Sequence, residues 1–411
     1  MILFVLLQRL FSWASLALLG AGGWLLFDWW NDQRVAEALD LPEPGNAQLY
    51  WALGLLAWSV LGRLPMLLLL GKGGATPHPL RGEGVRVPAP DGSTLWVETT
   101  GREDGPILVF THGWGMNVRI WAEARKQLGD RFGLCFWDLP GAGRSTRPRS
   151  GFSIEGFSED LHAVIDTLPE HRPIVLVGHS IGGMATLTFC ARHPELLNGR
   201  VAGIVLENTT HTNPLRTMIF SRVFKPLQPV VEGLSRFAMV TSPLMWVMNW
   251  QSYLSGSTHL AMRLAGFGCR PTREQLDRAA LLPTRTSPSV QARGNLAMFR
   301  WSVTERLPSI DCPALVFVGG RDLVTKDHAG ETIADALPQA RLVRMERAGH
   351  MGPVEEAGAY NEQIAVFADF VDLLSSRDPA RAGRSFAPRR GEAEVVEFPR
   401  DTRLGFVQPR Y

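Results

Sequence analysis

Residues 174–193 read IVLVGHSIGGMATLTFCARH, and this stretch decides the fold. Four apolar residues, Ile174 to Val177, form a short run suited to a buried strand. GHSIGG follows at Gly178–Gly183, and a helical pattern follows that, closed by Pro194. A G-x-S-x-G match gains meaning only between a strand and a helix, where it predicts a nucleophile elbow. Gly178 and Gly182 flank a strained turn in which bulkier neighbours would collide with backbone, and Ser180 Oγ is thereby presented for reaction. The amides at the start of the following helix lie where an oxyanion would develop, which makes the N–H of Ile181 a candidate donor.

A serine hydroxyl is a weak nucleophile at neutral pH, so it needs a base, and the base needs an orienting acid. Both occur downstream at strand ends: Asp322 in GGRD after ALVFV, and His350 in AGHMGP after ARLVRME. Glu207, at the end of AGIVLE, is the competing acid, with Asp322 preferred. HGWG at His112–Gly115 follows ILVFT. There the amide of Trp114 is the second candidate oxyanion donor, with His112 and Gly113 supporting the loop. His179 and His112 read as structural, and Asp138 as fixing the turn through Gly141 and Gly143. No spacing of histidines and carboxylates suggests a metal site, and no cofactor motif occurs.

The strand-like runs alternate with helical stretches such as SIEGFSEDLHAVIDTL over nearly 300 residues, which argues for a parallel α/β sheet flanked by helices. Through HGWG, WDLPGAGRS, GHSIGG, GGRD and AGH, in that order over residues 83–374, the chain resembles the α/β-hydrolase superfamily, and within it the monoacylglycerol lipases and carboxylesterases. The resemblance implies a mostly parallel eight-stranded sheet, a helical lid inserted after the sixth strand, and a serine hydrolase using Ser180, His350 and Asp322. An aspartate nucleophile, as in the family's dehalogenases and epoxide hydrolases, is disfavoured because the elbow holds Ser180. Acyl transfer, perhydrolysis and carbon–carbon or peptide hydrolysis share the scaffold, and a catalytically silent membrane scaffold is the reading from another class.

About 100 residues separate Asn208 from the strand at Ala314, too many for a loop, so a lid is expected over about 212–305. It holds six of the 12 methionines. Met245, Trp246 and Met248 are candidate substrate contacts, although the same residues suit the lid's own core.

The front of the chain differs. Residues 1–74 read as an anchor with two apolar spans, about 10–27 and 49–70, the second interrupted by Arg63 and Pro65. Six of the 13 tryptophans lie in the first 60 residues. A cleaved signal followed by a core helix explains the second run less well. Arg9, Lys72, Arg81 and Arg86 flank the spans, while the loop between them is acidic, so the positive-inside rule puts the hydrolase domain in the cytoplasm. Residues 375–411 mix eight arginines with five acids and lack periodicity, as a disordered tail would. The 42 basic and 40 acidic residues nearly cancel, giving a net charge of +2 and no signature of nucleic-acid binding. The expected partners are a small acyl ester or lipid substrate and the membrane.

Overall fold

The computed structural model describes residues 2–74 and 82–376. The flanking Arg81 and nearly all of the expected tail lie outside the described residues. Eight strands form one sheet in the order β1-β2-β4-β3-β5-β6-β7-β8, with β1 Gly84–Pro88, β2 Thr94–Gly101, β3 Ile107–Thr111, β4 Gly133–Asp138, β5 Ile174–His179, β6 Val201–Glu207, β7 Ala314–Gly319 and β8 Ala340–Met345. β1 and β2 form an antiparallel hairpin, β2 pairs antiparallel with β4, and the remaining strands run parallel. Strands β3 to β7 are buried along their whole length, which is why they read as continuous apolar runs rather than alternating ones. Ser180, Asp322 and the loop bearing His350 all follow the C-terminal ends of β5, β7 and β8, the edge at which open α/β sheets bind ligands.

The interval between β6 and β7 folds into helices, among them Gln228–Val240, Ser242–Leu254, Ser257–Ala265, Arg273–Arg285 and Pro288–Phe299, a helical insertion that we refer to as the lid. Its helix Gln228–Val240 is amphipathic with the apolar face turned outward. Val230, Leu234, Phe237 and Val240 are more than half exposed, Val240 at 83%, whereas Gln228 bonds Asn213 at 3.0 Å and Glu232 at 2.9 Å.

The front segment is one long helix, α1 (Ile2–Ala38), and a return helix, α2 (Ala47–Leu61), that runs back along it, with Gly22 against Leu55 and Leu56 and Gln48 bonded to Asp28 at 2.9 Å. From Leu7 to Ala38, α1 is long and apolar enough to cross a membrane. The second run does not continue as one straight helix. It bends by 66° at Gly62 into α3 (Arg63–Leu70), and the 15 residues of α2 rise only about 22 Å, short of a hydrocarbon core. The bend has a cause: a Cβ at Gly62 would stand 2.6 Å from the carbonyl oxygen of Ser255 in the lid, so only glycine lets the backbones meet. Arg63 then donates to the Tyr253 hydroxyl at 2.7 Å, beside Asp277 at 3.9 Å. The arginine that interrupts the hydrophobic run is a docking residue for the lid.

The start of α1 docks there as well. Arg9 bonds Asn249 at 3.1 Å and Ser15 accepts from Gln251 at 2.7 Å, while Leu7, Phe11, Leu67 and Leu70 pack on the core beneath the helices. Residues 1–74 thus hold none of the hydrolase motifs yet are packed into the lid. Replacing Arg63 by Leu makes the run more hydrophobic but strips Tyr253 and Asp277 of a partner, so Arg63→Leu should lower stability by about 1 kcal/mol, a figure kept small because the pair is partly exposed. Thermal unfolding in detergent checks this; an unchanged midpoint would place Arg63 outside the fold's energetics.

Candidate active site

At the end of β5 the chain turns into helix Ile181–Arg192 through Ser180, whose backbone has φ +54° and ψ −118°. An L-residue there is strained by about 1–3 kcal/mol, and the surroundings must hold it. Ser180 N–H donates to the Glu207 carbonyl at 3.0 Å, and Thr209 Oγ1 donates to the Ser180 carbonyl at 2.6 Å. A Cβ at Gly182 would lie 2.2 Å from the carbonyl oxygen of Thr111, so the tight approach of the helix to β3 requires glycine.

Ser180 Oγ lies 3.0 Å from His350 Nε2, and His350 Nδ1 lies 2.9 Å from Asp322 Oδ2. The histidine is therefore flanked by a hydroxyl on one nitrogen and a carboxylate on the other. Asp322 is wholly buried. Burial pushes its carboxyl up, but the neighbouring His350, the Thr325 amide at 2.9 Å and the Thr325 hydroxyl at 2.7 Å outweigh that and hold it at about 2. Val324 N–H and the Asn208 amide complete its shell at 2.7 Å and 3.1 Å. The carboxylate is thus charged, fully bonded and fixed in direction.

Glu207 is buried beside this network but makes no hydrogen bond to His350; among the described residues its Oε2 has no partner, and burial alone pushes its carboxyl up to about 8. Burial thus favours its protonated form. Asn208 and Thr325 went unread in the sequence. Thr325 carries a faint signal, an acceptor-seeking hydroxyl three residues after Asp322; Asn208, with φ +47°, carries none beyond its place after β6.

Trp114 lines the cavity at His350, and Ile181 directly follows Ser180 at the start of its helix. Among the described residues neither backbone amide finds an acceptor within the chain. The Trp114 loop is fixed by His112, which is fully enclosed: Nδ1–H donates to the Gly113 carbonyl at 2.9 Å and Nε2 accepts from Leu139 N–H at 3.0 Å. Burial drops the His112 imidazole to about 4, keeping it neutral as that bonding requires. His179 Nε2–H donates to the His350 carbonyl at 2.9 Å and is neutral for the same reason, its pKa lowered to about 3. Asp138 accepts from Val118 and Arg144 N–H, both at 2.8 Å, and closes the adjacent turn.

Ser180 and His350 are only 7% and 4% exposed. The cavity touching His350 holds about 20 Å³, room for one water, and is lined by Trp114, Met116, Met262, Pro283, Val324 and Met351. Lid residues Met262 and Pro283 form part of its wall, and the lid helix Pro288–Phe299 packs on Trp114: Trp114 Nε1–H donates to the Gln291 carbonyl at 3.0 Å, and a Cβ at Gly294 would strike the Trp114 ring. Met245, Trp246 and Met248 do not line this cavity. Met245 lines a second one of about 340 Å³ between α1 and the lid, with Trp13, Leu234 and Phe237 as walls and Arg9 and Asn295 as polar contacts. Met248 is buried in the lid, and Trp246 Nε1–H donates to the Thr284 carbonyl at 2.9 Å.

Residues 108–363 match the model of the alpha/beta hydrolase family, well over half of the chain. The chain belongs to that family. It is 28% identical over 260 residues to the pimeloyl-[acyl-carrier protein] methyl ester esterase of Chromobacterium violaceum, covering 62% of this chain and 91% of the esterase. It is 25% identical over 312 residues to a probable oxidoreductase, EphD, of Mycobacterium tuberculosis, covering 72% of this chain; the chain spans about half the length of that relative. A thermophilic esterase from Thermogutta terrifontis superposes with a TM-score of 0.56 at 24% identity, over 71% of this chain and all of the other, which shows the shared fold. The hydrolase-family assignment rests on the family match and these likenesses together.

Asp322→Asn should cut kcat by about 10⁴, because the wrong imidazole tautomer would be held, whereas Glu207→Gln should change it little. The reverse ranking in steady-state kinetics would move the acid to β6. The same variant has a pH signature. A carboxyl raised by folding contributes stability that is full below its unfolded pKa and is lost as pH rises toward about 8. Glu207→Gln should therefore gain stability relative to the parent between pH 5 and 8, measurable as a growing difference in melting midpoint.

Proposed function

We propose that this hydrolase is a membrane-anchored serine esterase acting on acyl or lipid-like esters. The observation that carries the reading is the hydrogen-bonded series from Ser180 through His350 to Asp322, with the Trp114 and Ile181 amides bonded to no acceptor among the described residues. Ser180 Oγ attacks the ester carbonyl while its proton passes to His350 Nε2, and Asp322 holds Nδ1–H and offsets the imidazolium charge. The N–H groups of Trp114 and Ile181 donate to the oxyanion. His350 then gives its proton to the leaving alkoxide, and water, activated by the same imidazole, cleaves the acyl-enzyme and restores Ser180. The methyl ester esterase among the relatives supports ester over amide chemistry.

Support for an amphiphilic substrate comes from the surface around the lid. The outward apolar face of Gln228–Val240 lies near α1, since Trp13, Leu234 and Phe237 wall one cavity. Exposed Trp24, Phe27 and Trp30 extend the apolar surface along α1. A large apolar patch next to a helix of spanning length suits a lid resting on a bilayer. With Arg9 on one flank and Lys72 and Arg86 on the other, the proposed orientation keeps the catalytic domain in the cytoplasm.

A cavity of about 20 Å³ excludes any ester, so turnover requires the lid segments that line it, around Met262 and Pro283, to move. An acyl-ester series of increasing chain length, assayed below and above each critical micelle concentration, tests this. Rates should rise at the aggregate surface and favour longer acyl groups, and Leu234→Ser with Phe237→Ser should reduce that rise. Equal rates in both regimes would argue against a lipid-like substrate, and turnover of amides in place of esters against the esterase itself.

A further inference from the structure

At the C-terminal end of helix Ile181–Arg192, opposite the end that Ser180 begins, three side chains outside the reactive centre converge. Glu159 and His162 stand three residues apart on helix Ile154–Ile165 and so share a face. His193, the residue that ends helix Ile181–Arg192, reaches the same point, and one ligand atom from each residue lies within 4.8 Å of the others. We propose that Glu159, His162 and His193 form a binding site for a divalent transition metal such as Zn²⁺, joining the end of the nucleophile helix to its neighbour.

The donor set is the first argument. Two imidazoles and one carboxylate suit Zn²⁺, while Mg²⁺ and Ca²⁺ prefer oxygen alone. The second is the environment of His193. Among the described residues its enclosed Nε2 has no hydrogen-bond partner, sitting 3.5 Å from Glu159 Oε1, while its Nδ1 lies 3.4 Å from Glu195 Oε1. A carboxylate on the outer nitrogen is how ligating histidines are commonly oriented. His162 has a similar neighbour, with Nε2 3.7 Å from Asp166. The two imidazole centroids are 4.4 Å apart, and the Phe189 ring backs both, at 5.7 Å and 5.0 Å. Two rings this close gain little from each other and would share a metal readily. Arg192 opposes the site, donating through Nε to Glu159 Oε1 at 2.8 Å. The metal would take the second carboxylate oxygen, and the adjacent cation weakens it.

Full-length protein in detergent, stripped with a chelator and dialysed, should bind Zn²⁺ one to one by calorimetry, with Mg²⁺ inert. At a hundredfold excess over Kd the melting midpoint should rise by about 5 °C or more. His162→Asn and His193→Asn should each weaken binding at least about tenfold, and Arg192→Ala should tighten it. Glu159→Gln, which preserves size, gives the same reading should either histidine variant unfold. Absence of a saturable one-to-one site, or binding unchanged in these variants, overturns the proposal.

Discussion

The reactive corner depends on a single backbone conformation, Ser180 at φ +54°, which a residue with a side chain adopts only when its surroundings outweigh the strain. Those surroundings come from three directions. β6 supplies the Glu207 carbonyl for its N–H, Thr209 holds its carbonyl, and the Thr111 backbone presses against Gly182. Each of these contacts exists only because β3, β5 and β6 lie side by side, completely buried. The sheet therefore does more than provide a core: its register is what holds the strained serine in place.

The second constraint is electrostatic. Asp322 is charged with no exposed surface, a costly arrangement unless every lone pair is used. Its donors come from Val324, Thr325, Asn208 and His350, so the acid, the loop after β7 and the segment after β6 are one network. Tyr360 extends it by donating to Asn208 at 2.8 Å. Glu207, which precedes Asn208 at the end of β6, is buried with its Oε2 unpartnered among the described residues, and burial pushes its carboxyl up instead. Two buried carboxyls, one at the end of β6 and one in the loop after β7, are thus shifted in opposite directions because one is surrounded by donors and the other is not.

Much of this was legible in the chain. Continuous apolar runs marked the buried strands, glycines marked the elbow, and strand-end positions brought Ser180, Asp322 and His350 to one edge, because local pattern and tertiary position coincide there. Other features depend on contacts between distant segments. Nothing local in RLPM announces that Arg63 docks on Tyr253, 190 residues away, or that Gly62 touches Ser255, so a bent helix reads as a continuous apolar span. The closed lid was equally hidden. Met245 and Met248 have the composition of a ligand wall, yet the methionines at His350 are Met116, Met262 and Met351, drawn from the loop after β3, the lid and the loop after β8. The placement of Glu159, His162 and His193 likewise comes from the packing of two helices, which no spacing rule describes.

The central claim is that the strained residue is the nucleophile, and the most direct measurement is covalent labelling by a fluorophosphonate followed by mass spectrometry of the modified peptide. The account predicts a single adduct on Ser180, lost in Ser180→Ala while the melting midpoint stays the same or rises. An adduct on another residue, or labelling that persists in a folded Ser180→Ala protein, would contradict it.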